Sequence, residues 1–433
     1  MTAIPVKAEN TTHHIQIDRE RCNGCILCMK ACPTKAIRVK PCPAGRTAII
    51  EGICILCGEC IRVCPRDALS LNVPYPEDIL EAGRRTVVTA STVLYGQFKE
   101  GITPNDILMG LKHMGFGYVQ DQSYFSEMFS VALELYIKEN RKTGEVAFPL
   151  ISPVCPVVES LIIHRFPSLL RHIPPLAIPR EILAREAKRR LADNGAGPAE
   201  EVRVIHVTPC PAKTLSIREG PSYLDDTIPI SQIYDRLKNH IREVEEYSIL
   251  HHSGGLGLLW GIAGGEVAGV GMECLAVSGL QETIRYLQKI EMGLLADIDY
   301  IELRTCTGGC PGGEYTVMDK YLAQHRLLKF VHDFGVEKRA DTDFVKRMYE
   351  KGWFFTTAPS PERPAAAGGL SIADAIKREE KIEKIMKQLP GTECAICGCP
   401  DCRTFAEDLV DGKTPVESCP YLASKERLPG VSI

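Results

Sequence analysis

The sequence predicts an α/β chain in three parts: a small α+β module at the N-terminus, a central α/β domain and a small helical module at the C-terminus. Three observations predict it. Two copies of one cysteine spacing, each entered from a short strand-like segment, fill residues 15–75. After Pro74 and Pro76 the composition turns to alternating strand-like and helix-like segments. The final 40 residues carry four more spaced cysteines behind a Pro-, Ala- and Gly-rich stretch. A length of 433 residues leaves room for two or three domains with a sizeable core. The expected division is 1–76, 77–357, a linker and helix over 358–388, and 389–433.

In the first module the spaced cysteines are Cys22, Cys25, Cys28 and Cys32 before Pro33, then Cys54, Cys57, Cys60 and Cys64 before Pro65. IQIDRERCNGC and AIIEGICILCGEC each read as a strand entering a cysteine loop, and Ala36–Val39 and Ala68–Leu71 are short apolar stretches after each run. The C-x2-C-x2-C-x3-C-P run resembles that of two-cluster bacterial ferredoxins, in which the fourth cysteine of each run ligates the other cluster. That resemblance implies one 4Fe-4S cubane on Cys22, Cys25, Cys28 and Cys64, and a second on Cys54, Cys57, Cys60 and Cys32. Zinc and disulfides are the alternatives; zinc normally takes a CxxC pair from each of two separated places.

Composition bounds the partners. Apolar content of 45% and charged content of 24% are those of an ordinary globular protein. A net charge of -4 with no long basic stripe argues against nucleic acid. Residues 1–14 lack the apolar core of a signal peptide, and no run of 18 apolar residues is present, so neither export nor a membrane span is expected. Nineteen cysteines without an export signal point to a reducing cytoplasm, metal ligation and an anaerobic or micro-oxic host.

In the central part, Thr103–Pro104–Asn105–Asp106 reads as a helix start, with Ile107, Leu108, Leu111 and Met114 on one face. Three apolar runs then end in cysteines: Val146–Ile151 before Cys155, Val202–Val207 before Cys210, and Ile298–Leu303 before Cys306 and Cys310. Sites in α/β domains form at the carboxyl edge of the sheet, so the three loops are placed to converge and offer four thiolates. Buried, inert thiols are the alternative. Beyond 358–369, a helix capped by Ser371 with Asp374 should carry Ile376, Ile382, Ile385 and Met386. Cys394, Cys397, Cys402 and Cys419 then could hold a fourth cluster, with zinc as the alternative. Cys42, Cys274 and Cys399 are left as packed or spare thiols.

The loops have recognisable wording. SPVCP (152–156), TPCPAK (208–213) and RTCTGGCPGG (304–313) resemble the three cluster-binding signatures of the catalytic domain of iron-only (FeFe) hydrogenases. ECAICGCPDCRTFAEDLVDG with Cys419 resembles the small iron–sulfur domain of corrinoid iron–sulfur proteins. RFPSLL (165–170) and GLQETIRYLQKIEMGLL (279–295) look closest to the sensory branch of the hydrogenase family. The resemblance implies an active-site cubane on Cys155, Cys210, Cys306 and Cys310, with Cys310 bridging to a diiron CO/cyanide unit. Lys213 falls where the family holds a cyanide ligand; a solvated loop lysine is the alternative. Trp260–Gly261 falls where the family has a phenylalanine–glycine pair beside the cofactor.

The departures are equally informative. Val154 stands where active hydrogenases carry a proton-relaying cysteine, Thr208 and Arg304 replace methionines, Ser216 replaces the next glutamate of the proton path, and Arg180 replaces a glutamine. A buried guanidinium must be paired or face an anion. The resemblance therefore implies about four 4Fe-4S clusters and slow hydrogen oxidation or production, or hydrogen or redox sensing. A ferredoxin-like or signalling protein would be the redox partner, and a homodimer is allowed. The alternatives are a pocket repurposed for another cluster or an anionic substrate, and a pure electron carrier.

Overall fold

The computed structural model describes residues 14–43, 45–72, 86–194, 201–241, 248–357 and 371–426. The chain forms two compact units: Met1–Val73 with Pro364–Ile433, and Pro74–Arg363. The two ends, separate domains in the sequence reading, thus make one unit. The linker expected over 358–369 and the boundary at Pro74 and Pro76 lie outside the described residues.

In the terminal unit, β1 (Ile15–Ile17), β2 (Ile37–Cys42), β3 (Gly45–Ile50) and β4 (Leu69–Leu71) form two antiparallel pairs. Ile15 lies opposite Leu71, and Ile37 opposite Ile50, so the apolar stretch after each cysteine run meets the strand before a run. Each run also encloses one short helix, Leu27–Ala31 or Glu59–Arg62. The repeat extends to the backbone. Gly24, Ile26 and Lys35 have positive φ, and so do Leu56, Gly58 and Asp67 at the equivalent places of the second copy. For Ile26 and Leu56 a left-handed backbone costs about 1–2 kcal/mol each. Ser371 caps the helix Ile372–Met386 by accepting from the Asp374 amide, as expected, and Ile382 is its fully buried residue.

The central unit contains two parallel sheets. In the first, β5 (Thr86–Ala90), β6 (Tyr118–Asp121), β8 (Arg203–Thr208) and β9 (Asp226–Pro229) run in the order β6-β5-β8-β9; in the second, β7 (Leu150–Ile151), β10 (Cys274–Ser278) and β11 (Tyr300–Arg304) run β10-β11-β7. Parallel strands need both faces covered, and the first sheet is apolar accordingly: every residue of β5 is buried. The helix Pro104–His113 starts at the predicted place with Thr103 and Asp106 in a reciprocal capping box, and Ile107, Leu108 and Leu111 enter the core. The sequence placed the three cysteine loops on one sheet edge. Instead Cys210 follows β8 of one sheet, while Cys155, Cys306 and Cys310 follow β7 and β11 of the other.

Candidate metal centres

Both ferredoxin-type quartets are assembled across the two copies. Cys22, Cys25, Cys28 and Cys64 line one hollow. Cys32, Cys54, Cys57 and Cys60 line another. The fourth cysteine of each run has crossed to the other copy because β1 pairs with β4 and carries the runs past each other. Amide donors already point at sulfur: Ala36 N to Cys32 Sγ at 3.2 Å, Ala68 N to Cys64 Sγ at 3.3 Å and Ala48 N to Cys22 Sγ at 3.4 Å. Such N–H···S bonds stabilise thiolate charge and tune cluster potential. Burial raises the Cys28 thiol to about 11 and Cys57 to about 12, so these sulfurs favour a cationic or covalent partner over bare thiolate.

The C-terminal quartet, Cys394, Cys397, Cys402 and Cys419, lines a third hollow. Asp401 caps the helix Cys402–Val410 by accepting from Thr404 N at 2.7 Å, and Cys419 precedes the helix Pro420–Glu426. Cys399 is buried and donates to Asp408 Oδ2 at 3.5 Å. Contact with the Cys399 sulfur is the largest influence on the Cys397 thiol, which is held below its usual value. Cys42 and Cys274 are half-buried. Among the described residues, no three His, Cys, Asp or Glu side chains crowd onto a single ion position.

In the central unit, loops from both sheets meet. Cys155 and Cys210 are each the N-cap of a helix whose first residue is proline, Pro156–Arg165 and Pro211–Glu219. Both sulfurs therefore sit at the positive end of a helix dipole. Backbone bonds weave in the third loop: Cys310 N donates to Gly261 O at 2.8 Å, and Tyr315 N to Pro209 O at 3.0 Å. Glycines 309 and 313 make this possible, since a Cβ on either would strike Ala263 or Pro209 backbone. Cys155 Sγ lies 3.8 Å from Thr305 Oγ1, and the Lys213 ammonium donates to Cys310 Sγ at 3.7 Å. Lys213 is buried rather than solvated. Burial opposes ionisation of Cys310, but the Lys213 and Arg304 cations outweigh it and hold the thiol below its usual value; Cys210 is pushed up to about 11 by burial.

The departing residues occupy the same neighbourhood. Val154 is buried in an apolar cluster with Phe129 and Trp260, whose rings meet edge to face at 5.4 Å. Gly261 packs against Thr92 and Val93. Thr208 Oγ1 accepts from Cys210 N at 3.4 Å, turning the chain into the loop. Arg180 donates to Ser216 Oγ at 3.4 Å, so two separate departures touch. Arg304, 1% exposed, is clasped by Glu266 at 2.7 Å and Glu302 at 3.1 Å. Ser152 Oγ donates to Glu266 at 2.8 Å, and the Tyr300 hydroxyl donates to it as well. Burial and the Glu302 charge push the Glu266 carboxyl up to about 7, against the pull of Arg304. Glu266, Glu302, Ser152 and Tyr300 were missed in the sequence; the one available signal was an acid inside each apolar stretch.

A family model described as "Iron only hydrogenase large subunit, C-terminal domain" matches residues 84–265, which contain the first two cysteine loops and end before Cys306. A 4Fe-4S dicluster domain matches residues 21–68, and an Fe-S cluster family matches residues 389–421. The NADP-reducing hydrogenase subunit HndD of Solidesulfovibrio fructosivorans is 25% identical over 220 residues, covering 44% of this chain and 37% of the relative. The corrinoid/iron-sulfur protein large subunit of Moorella thermoacetica is 46% identical over 44 residues, 10% of each chain. The chain thus spans about a third or less of the length of these two relatives. An [FeFe]-hydrogenase structure superposes with a TM-score of 0.50 at 14% identity, covering 67% of this chain and 97% of the other, which relates the folds.

Proposed function

We propose that this hydrogenase-like iron–sulfur redox protein oxidises or produces hydrogen slowly, at rates suited to sensing hydrogen or redox state, and passes electrons through its 4Fe-4S clusters to a separate redox or signalling protein. The observation that carries the proposal is a retained anchor beside a lost relay. Lys213 donates to Cys310, while the residue preceding Cys155 is the buried, aliphatic Val154. Cys155, Cys210, Cys306 and Cys310 suit a cubane by donor chemistry. A diiron CO/cyanide unit attached there would supply the metal that splits hydrogen. Lys213 would hold an anionic ligand of that unit, and the apolar cluster of Val154 and Trp260 would help to keep water from it. Val154 offers no proton, Ser216 is already engaged by Arg180, and fast turnover needs titratable groups in line.

A second reading, an anionic ligand in place of the diiron unit, is favoured by one observation. Arg304 Nη1 and Arg180 Nε are buried without a hydrogen-bond partner, and such donors seek an acceptor. Infrared spectroscopy of protein made with the hydrogenase maturation machinery separates the two readings. CO and cyanide bands support the first, and their absence overturns it. With bands present, Val154→Cys should raise hydrogen evolution from reduced viologen, by less than the ~10²–10⁴-fold of a complete relay.

A further inference from the structure

The terminal unit holds three cysteine quartets, and the C-terminal one is seated on the first ferredoxin-type quartet through the parts that carry the sulfurs. Lys30 is on the same short helix as Cys28, and its ammonium donates to the Glu393 carbonyl at 2.7 Å and the Pro400 carbonyl at 2.6 Å. Glu393 immediately precedes Cys394, and Pro400 lies two residues before Cys402. Val39 lines the hollow of Cys22, Cys25, Cys28 and Cys64, and its amide donates to Gly398 O at 2.9 Å, next to Cys397. Gly398 has φ +85, and a Cβ there would collide with the Val39 carbonyl oxygen. Arg46 Nη2, on β3, donates to Ile396 O at 3.2 Å.

The contact is charge-matched, and its Arg38–Asp408 pair is buried. Arg38 holds Asp408 through two bonds, the longer 3.1 Å, with both side chains less than a tenth exposed. Lys35 pairs with Asp401, the residue before Cys402. A buried, bidentate Arg–Asp pair belongs to a permanent interface, since opening it would strand two charges.

We infer that the C-terminal quartet is an electron station wired to the first ferredoxin quartet, with the Val39–Gly398 backbone bond and the Lys30 side-chain bond to the Glu393 carbonyl as the links between them. The inference rests on the reading above that all these quartets hold 4Fe-4S clusters, and adds the order in which they exchange charge. One electron leaves the reduced cluster on Cys22, Cys25, Cys28 and Cys64 as the cluster on Cys394, Cys397, Cys402 and Cys419 accepts it, or the reverse. No bond is made or broken and no proton moves. A low-potential one-electron donor, dithionite in the assay, supplies the electron.

The test is low-temperature electron paramagnetic resonance on the full chain, reconstituted and reduced, with iron counted on each sample. Emptying the C-terminal quartet by Cys394→Ser should remove about four irons. It should also slow the spin relaxation of the first ferredoxin cluster several-fold, because a fast-relaxing neighbour has gone. Gly398→Ala should keep all the iron and lose the same coupling. Gly412→Ala, equally left-handed but with nothing within 4 Å, should keep it. Lys30→Met, at a part-exposed helix position, should weaken the coupling without disturbing assembly, which covers the case in which Gly398→Ala fails to fold. If Cys394→Ser removes four irons and the remaining signals relax unchanged, the wiring is wrong although the cluster is real. If the iron count does not fall, the quartet holds no cluster, and the cluster reading of this module falls with the inference.

Discussion

Glu266, Glu302 and Arg304 bury two carboxylates and one guanidinium together, and that imbalance sets how the protein responds to acid. Glu266 is fully buried and its carboxyl is raised from 4.5 to about 7. The unfolded chain loses this proton near pH 4.5, while the folded one keeps it until near 7. Stability carried by the neutral form is therefore complete below about pH 4.5 and declines as pH rises through 7. The whole effect is on the order of 3 kcal/mol. Urea melts of wild-type protein across pH 5 to 8 should show this decline, and Glu266→Gln should flatten it; an unchanged slope in the variant would assign the titration elsewhere. None of this was legible in the sequence. Arg304 was expected to be paired or to face an anion, but Glu266 is distant in the chain and nothing local announces that the two meet. Arg180 and Ser216 make the same point. A glutamate placed at 216 would be pinned by that guanidinium, so the two positions act as a pair.

Elements were legible where their instructions are local. The capping box at Thr103 and Asp106 and the Ser371 cap lie within four-residue windows, and both helices begin where those windows put them. The repeat of strand, cysteine loop and short helix was equally clear, because the cysteine spacing fixes its period. The distribution of the three loops over two sheets was hidden, since β7 is two residues long and strand order is decided by packing rather than pattern. What survives is convergence by loop rather than by sheet edge. Cys306→Ser should therefore abolish one paramagnetic cluster signal and about four irons while leaving both ferredoxin-type signals intact. Survival of every signal would make Cys306 a packed thiol. The glycines at 309 and 313 admit a second probe: either one as alanine should lower the occupancy of that centre alone, because the loop could no longer pass Gly261 and Pro209.

At the scale of the whole chain, four quartets of cysteine imply about sixteen irons after reconstitution, before any diiron unit. A count near eight would leave the dicluster module as the only cluster carrier and withdraw the redox reading of the central unit. No helix among the described residues is long and apolar enough to cross a membrane. The joining of the two ends was not legible. Arg38 and Asp408 look like ordinary surface charges in sequence, and only the fold buries them together. That union has a consequence for how the molecule is made. β2 and Arg38 leave the ribosome first, and the Cys397–Cys399 loop and Asp408 come more than three hundred residues later. At ~5–20 residues per second that is a wait of roughly half a minute. Throughout it the nascent first module has an uncovered edge and an unneutralised guanidinium, with sulfurs ready to take up iron. The terminal unit is completed only after the whole central unit has been made, so a chain broken or stalled before Asp408 remains recognisable by the bare face of its first module.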